Sequence, residues 1–280
     1  MIESKTRLHL LTCLFCCLCI GCTYVQQAEQ SLTEISIQGE PGNFHGFRMY
    51  NFELQGRQCR VVVPKRAAKG NPWIWRARFF GHRPEVDMEL LSRGYFLAYI
   101  DVTDLYGSPK AVQLWNNFYH YLTTDLDFNP KVVLEGMSRG GLIVFNWAAQ
   151  NPNQVACIYA DAPVCDIKSW PGGKMQGRGS EEDWRKCLLA YELTEEQALL
   201  HASNPIDQVE ALVAAKIPLL IVSGDADDIV PYEENAALIV AAYDEQQAPV
   251  DVILKKDVRH IHGLDDARPI INFILKHTPQ

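Results

Sequence analysis

Short apolar runs alternate with amphipathic segments along most of the chain. Runs such as residues 95–102, 131–135 and 217–223 have the length and β-branched content of buried strands. The segment 110–123 instead spaces its apolar residues three and four apart, as a helix with one buried face does. This alternation predicts an α/β fold with a mostly parallel, eight-stranded sheet and helices on both faces.

The sheet is predicted to open with an antiparallel pair, residues 52–54 and 58–63, because a short turn separates two strand patterns. After the strand at 155–159 the alternation breaks. An irregular polar insertion over 166–179 is followed by helical patterns at 181–200 and 205–215, which we interpret as a small lid.

The first residues have a different character. Lys5 and Arg7 precede an apolar stretch, residues 10–20, that is too short to span a bilayer and ends at Gly21-Cys22. This pattern resembles a bacterial lipoprotein signal, although Cys19 stands where such signals carry Leu. It predicts a signal peptide over 1–21, a polar tether over 22–31 and one catalytic domain over 32–280. The chain is then expected to be exported to the periplasm or the cell surface. Its only attachment to the membrane is the lipid on Cys22. An ordinary signal peptide and an uncleaved anchor remain alternatives.

The composition is that of a globular protein, with 48% hydrophobic residues and a net charge of −8. No basic patch is present to neutralise phosphates, which argues against nucleic acid as a partner. After residue 22 no C-x-x-C pair occurs, so we expect neither a metal nor another cofactor. The four remaining cysteines are interpreted as buried apolar residues, with a Cys165–Cys187 disulfide as the alternative.

Residues 136–140 read Gly-Met-Ser-Arg-Gly and join the strand at 131–135 to a helical segment. A G-x-S-x-G at such a junction resembles the nucleophile elbow of α/β-hydrolases. Small residues flank the serine because strand and helix backbones approach closely there. The motif predicts Ser138 as the nucleophile and the backbone N–H of Arg139 as one donor to an oxyanion.

An elbow serine predicts an acid and then a histidine at the ends of later strands. Asp227 fits the pattern G-x-x-D-x-x-V-P, whereas Asp225 and Asp228 fit a turn and a helix start. Asp161, at another strand end, is an alternative acid. His262 is the predicted base because it precedes Gly-Leu and the last helix. His260 is the alternative, expected on the opposite side of an extended backbone.

Two further regions are candidates for the site. The exit of the strand at residues 72–80 carries the predicted second oxyanion donor, Phe79 or Phe80. Arg76 and Arg78 are predicted to bind a substrate carboxylate or sugar hydroxyls, the alternative being ion pairs with nearby acids. Trp170 is either a platform for a sugar ring or a core residue of the insertion.

With these motifs the chain resembles the serine α/β-hydrolases, specifically exported bacterial hydrolases of the prolyl oligopeptidase type that are linked to polysaccharide breakdown. Arg139 after the nucleophile also resembles glucuronoyl esterases. The resemblance implies a serine esterase that acts on a small-molecule or polysaccharide ester, a sugar acetate or a uronate methyl ester. A small serine peptidase and a non-catalytic glycan-binding lipoprotein are the alternatives.

Overall fold

A computed structural model describes residues 37–278, which form one nine-stranded sheet. In chain order the strands are β1 Glu40–Phe44, β2 Phe47–Leu54, β3 Arg57–Val63, β4 Trp73–Arg76, β5 Phe96–Ile100, β6 Val132–Met137, β7 Val155–Asp161, β8 Leu219–Gly224 and β9 Val250–Lys255. Their order across the sheet is β1-β2-β3-β5-β4-β6-β7-β8-β9. The first three strands pair antiparallel and the rest pair parallel, which confirms the predicted mostly parallel sheet.

The ninth strand is β1, which the pattern of the sequence did not predict. It contains Pro41 and Gly42, two residues that disfavour strands. It forms because a two-residue turn returns the chain onto β2: His45 and Gly46 both have positive φ, at 49° and 89°. Such a turn matches the twist of a hairpin.

Between residues 37 and 278 lie eight α-helices and several short 3₁₀ or π turns. The helices are α1 Glu85–Ser92, α2 Pro109–His120, α3 Gly140–Gln150, α4 Glu181–Tyr191, α5 Glu195–Leu199, α6 Val209–Ala214, α7 Ala236–Glu245 and α8 Arg268–His277. They lie on both faces of the sheet, as predicted.

Alternate residues of β4 show how the two faces are filled. Ile74 belongs to the core under α1 and α8. Trp75 points the other way, where its ring stacks on Trp115 of α2 at 3.9 Å between centroids and meets Trp147 of α3 edge-on at 5.3 Å. Each such aromatic pair adds about 0.5–1.5 kcal/mol beyond the area it buries. Both faces of β4 are therefore buried in the core.

The predicted lid packs around a second, smaller apolar cluster. Trp170 and Trp184 pack with Tyr106 and Val230 in a second apolar cluster. The helical pattern over 181–200 is divided into α4 and α5 because Glu192 takes a left-handed conformation and Thr194 begins a new capping box. The insertion is thus packed on the domain rather than extended from it.

The four cysteines of the described part of the chain are free and buried, in agreement with their interpretation as apolar core residues. Over the same residues, no helix combines the length and the apolar character that crossing a bilayer requires. The predicted signal peptide and tether lie outside the described residues.

Candidate active site

Ser138 lies at the sharp turn between β6 and α3, with φ of 49° and only 8% of its surface exposed. This left-handed conformation costs a non-glycine residue about 1–3 kcal/mol, so neighbouring contacts must hold it. The N–H of Ser138 donates to the carbonyl of Asp161 at 2.9 Å, and its own carbonyl accepts from the N–H groups of Gly141 and Val164, each at 2.9 Å. A Cβ on Gly141 would lie 2.6 Å from Pro163 Cβ, which explains the glycine. The elbow predicted from the sequence is present.

His260 joins Ser138 to Asp227. Its Nε2 lies 3.0 Å from Ser138 Oγ, and its Nδ1 lies 2.6 Å from Asp227 Oδ2. When Nδ1–H donates to the carboxylate, the Nε2 lone pair is free to accept the serine hydroxyl proton. The other carboxylate oxygen of Asp227 accepts the N–H groups of Ile229 and Val230 at 2.9 Å each. Asp227, whose side chain is fully buried, is fixed at both oxygens.

The prediction of His262 as the partner of Ser138 is wrong. The ring centroids of His260 and His262 lie 4.8 Å apart, with 76° between the ring planes. The His262 ring packs against Phe79 and His82. Within residues 37–278 its buried Nε2 has no hydrogen-bond partner. Burial lowers the pKa of His262 to about 3, so this ring stays neutral at physiological pH. The two histidines do point to opposite sides, but it is His260 that faces Ser138.

The other aspartates have structural contacts. Asp225 Oδ1 accepts the N–H of Asp257 at 2.6 Å, and Asp228 pairs with Arg178 and Arg259 at 2.7 and 2.6 Å. Asp161, the alternative acid, does not hydrogen-bond to His260. Its Oδ2 accepts the hydroxyl of Tyr159 and the N–H of Gly263, both at 2.6 Å. Burial raises the pKa of Asp161 above its ordinary value.

The histidine loop, residues 257–264, is held by side chains from outside the loop. Lys255, the last residue of β9, donates from Nζ to the carbonyls of Ile261 and Gly263. Asp161 accepts the Gly263 N–H, and Arg83 donates to the carbonyl of Leu264 at 2.9 Å. No sequence pattern separates His260 from His262, because these long-range contacts decide which ring faces Ser138.

Arg76 does not bind substrate, contrary to the prediction. It is 1% exposed, and its guanidinium pairs with Asp87 at 2.5 Å and with Glu135 at 3.1 Å beneath the sheet edge. It also donates to the carbonyls of Arg78 and Phe79 at 3.2 Å each, so it braces the exit of β4. Burial raises the pKa of Glu135 well above its ordinary value. The alternative interpretation, a structural ion pair, is correct for this residue.

The exit of β4 brings Arg78 against the elbow. The backbone N and Cβ of Arg78 are 3.8 and 3.5 Å from the position of a Cβ on Gly140. Phe80 instead packs on Phe44 and Tyr99, with centroids 5.0 and 5.3 Å away, and Phe79 faces His262 at 5.9 Å. The backbone N of Arg78 therefore lies against the elbow, which makes Arg78 a further candidate for the second oxyanion donor beside the predicted Phe79 and Phe80.

A cleft opens beside the elbow, between the exits of β4 and β5. Its walls include the side chains of Arg78, Arg139, Thr103 and Tyr106. Arg139 pairs with Asp183 of α4 at 3.0 Å, and the same carboxylate accepts the hydroxyl of Tyr106 at 2.5 Å. These contacts, which the sequence did not reveal, connect the predicted lid to the residue after Ser138.

Trp170 lies on the far side of Arg139. Its ring is 7% exposed, belongs to the second apolar cluster and has the Arg139 guanidinium 4.5 Å from its centroid. The ring is covered, so Trp170 is a core residue of the insertion that supports Arg139, as the second interpretation had it. In the described part of the chain, no three His, Cys, Asp or Glu side chains cluster in a way that could hold a metal ion.

Comparison with solved structures shows the same fold in other proteins. Dipeptidyl peptidase 4 of Porphyromonas gingivalis aligns at 18% identity with a TM-score of 0.60, over 82% of this chain but 35% of its own length. A puromycin-hydrolyzing peptidase of Mycobacterium tuberculosis aligns at 14% identity with a TM-score of 0.63, over 84% of this chain and 39% of its own. Est1E of Butyrivibrio proteoclasticus aligns at 18% identity with a TM-score of 0.54, over 86% of this chain and 99% of its own.

This chain therefore spans little more than a third of the two peptidases and nearly the whole of Est1E. A comparison with curated proteins gives no match. A family comparison, in contrast, matches residues 120–278, more than half of the chain, with the prolyl oligopeptidase family. That range contains the elbow, Asp227 and the histidine loop. The chain belongs to the prolyl oligopeptidase family and has the fold of the serine α/β-hydrolases.

Proposed function

We propose that the protein is a serine hydrolase of carboxylic esters, with Ser138 as nucleophile, His260 as general base and acid, and Asp227 as the residue that orients His260. The observation that carries this proposal is the hydrogen-bonded series from Ser138 Oγ through His260 to Asp227, at 3.0 and 2.6 Å. A serine hydroxyl is a weak nucleophile unless an adjacent base takes its proton. The series places that base beside Ser138, and the Asp227 carboxylate favours the tautomer with its proton on Nδ1.

The reaction follows from these positions. Ser138 Oγ attacks the ester carbonyl while its proton passes to His260 Nε2, and the backbone N–H groups of Arg139 and Arg78 stabilise the oxyanion. Collapse of the tetrahedral intermediate expels the alcohol, which takes the proton from His260. Water then attacks the acyl-enzyme by the same route and releases the acid.

The charge of the cleft favours an ester over a peptide with a free N-terminus. Arg78 and Arg139 both line it, and the positive charge of Arg139 contributes to lowering the pKa of Arg78, after burial. A peptide ammonium group placed there would meet like charge, which costs affinity. A small serine peptidase remains the second candidate, because the family and two of the structural neighbours are peptidases by name.

For the natural substrate we propose a carbohydrate ester, a sugar acetate or a uronate methyl ester, in line with the expectation from the sequence.

The test is release of acetate and methanol from esterified plant polysaccharides, together with hydrolysis of 4-nitrophenyl acetate and of a dipeptide 4-nitroanilide. Each substrate is given to the wild-type protein and to Ser138→Ala. Ester cleavage that Ser138→Ala abolishes supports the esterase, and anilide cleavage alone supports the peptidase. A folded protein that cleaves none of them contradicts the whole proposal.

We also propose that the chain is exported and lipid-anchored through Cys22. Incorporation of labelled palmitate into the wild-type chain, and its loss in Cys22→Ala, is the expected result. Palmitate absent from both would contradict the anchor without affecting the proposed chemistry.

A further inference from the structure

Three arginines beside the elbow each lie over an aromatic ring. The guanidinium carbon of Arg60 is 4.8 Å from the ring centroid of Phe80, that of Arg78 is 4.6 Å from Phe79, and that of Arg139 is 4.5 Å from Trp170. A planar guanidinium stacked on a ring keeps its edge free for hydrogen bonds and loses less freedom when it binds a ligand. We call these three residues the arginine strip.

The strip follows the order of the strands across the sheet. Arg60 of β3 lies opposite Tyr99, next to the last residue of β5. Arg78 follows β4, and Arg139 follows β6 and the nucleophile. Because β3, β5, β4 and β6 are neighbours in that order, the strip spans three strand spacings, roughly 14 Å. It therefore runs along the edge of the sheet that carries Ser138.

The charge of the strip is only partly neutralised within the protein. Arg139 has its carboxylate partner in Asp183 at 3.0 Å. Among residues 37–278, no carboxylate lies within ion-pairing distance of Arg60 or Arg78, and the buried Nε of Arg78 has no hydrogen-bond partner. The nearby Asp101 is engaged with the N–H of Thr103 at 3.1 Å. Neither guanidinium group is thus ion-paired in the described part of the chain, although Asp101 acts on Arg78 at longer range and the net charge is −8.

We propose that Arg60 and Arg78 bind carboxylate groups of an acidic ester substrate, placed so that its ester reaches Ser138. The inference deepens the proposed function and rests on it: the substrate is an ester within a carboxylate-bearing glycan, such as a partly esterified uronate chain. A guanidinium group binds a carboxylate with two parallel hydrogen bonds, which fixes orientation as well as charge.

The test is binding of trigalacturonate, which carries no ester and is not consumed, measured by titration calorimetry on the full chain at low salt. We expect the wild-type protein to bind it, and to bind neutral galactotriose at least tenfold more weakly. Arg78→Met and Arg60→Met are each expected to raise the Kd for trigalacturonate about tenfold or more, with Arg78→Lys between Arg78→Met and wild type. The matched control is Arg66→Met, an exposed arginine that follows β3 at the opposite edge of the sheet.

Equal affinity for the two trisaccharides would overturn the inference, as would an unchanged Kd in both Arg60→Met and Arg78→Met. If one of the two variants fails to fold, as judged by its melting temperature, the other still decides. Binding is measured separately from catalysis. If the wild-type protein shows no ester cleavage that depends on Ser138, the proposed function is contradicted. If it cleaves esters but does not prefer the charged trisaccharide, only the proposed role of the arginine strip is contradicted.

Discussion

The elbow and the histidine loop hold two neighbouring members of one hydrogen-bonded series, Ser138 and His260, by different means. Around Ser138 the contacts are local and mostly between backbone groups, and glycines allow β6, α3 and the chain after β7 to approach closely. The histidine loop has no regular structure and depends on the side chains of Lys255, Asp161 and Arg83. Ser138 is thus placed by the local fold, whereas His260 is placed by side chains outside its loop, two of them from distant parts of the chain.

The comparison is tested most strongly by replacing each of the two histidines with alanine. His260→Ala removes the only ring that contacts both Ser138 and Asp227 in the described structure, and we expect kcat for 4-nitrophenyl acetate to fall by about 10⁴-fold or more. His262→Ala is expected to keep kcat within about tenfold of wild type, because its effect is limited to packing. Steady-state kinetics of both variants decides. A larger loss in His262→Ala would reverse the assignment of the base.

Lys255 tests whether the loop is positioned by side chains. Lys255→Met leaves the carbonyls of Ile261 and Gly263 without their donor, so the loop can shift and move His260 out of line. We expect kcat to fall about 10–100-fold with KM unchanged, because a displacement of about 1 Å is enough to cost that much.

The matched control for this prediction is Lys256→Met, since Lys256 is the next residue and is exposed. Lys255→Arg, which can still donate to both carbonyls, is expected to recover most of kcat. A Lys255→Met variant with the kcat of Lys256→Met would show that the loop holds its position without the side chain.

Gly141 and Gly140 test the elbow. A Cβ on Gly141 would approach Pro163 Cβ and the Val164 carbonyl oxygen to 2.6 and 2.8 Å, whereas on Gly140 the nearest atom is 3.4 Å away. We expect Gly141→Ala to lower the free energy of unfolding by about 1–3 kcal/mol, since the crowded backbone must move. Gly140→Ala is expected to change it much less. Urea denaturation of the two variants measures the difference, and equal stabilities would argue against close packing as the reason for Gly141.

The same contrast explains what the sequence predicted well. The strand, the G-x-S-x-G turn and the following helix are contiguous, so Ser138 and its parallel strands could be predicted from local pattern. Arg76 could not be placed in the same way. Its partners Asp87 and Glu135 come from a helix and a strand that only the tertiary fold brings together. The distinction between His260 and His262 likewise depends on contacts outside the local pattern, from Lys255 at the end of β9 and from Asp161, which is 102 residues before its partner Gly263.

The last prediction concerns the pH-dependent part of stability that His262 contributes. Burial lowers the pKa of His262 from 6.5 to about 3, so below pH 6.5 the unfolded chain takes up a proton that the folded chain does not. Stability from this group is therefore complete above pH 6.5 and falls with decreasing pH, by about 1.4 kcal/mol per unit down to about pH 3. His262→Gln cannot titrate. Between pH 7 and pH 5 we expect its free energy of unfolding to decrease by about 2 kcal/mol less than that of wild type. Because the carboxyl groups of both proteins titrate alike, the difference isolates His262. Parallel stability curves over this range would show that His262 is protonated as easily in the folded chain as in water, and would remove the basis for treating it as a neutral packing residue beside the base.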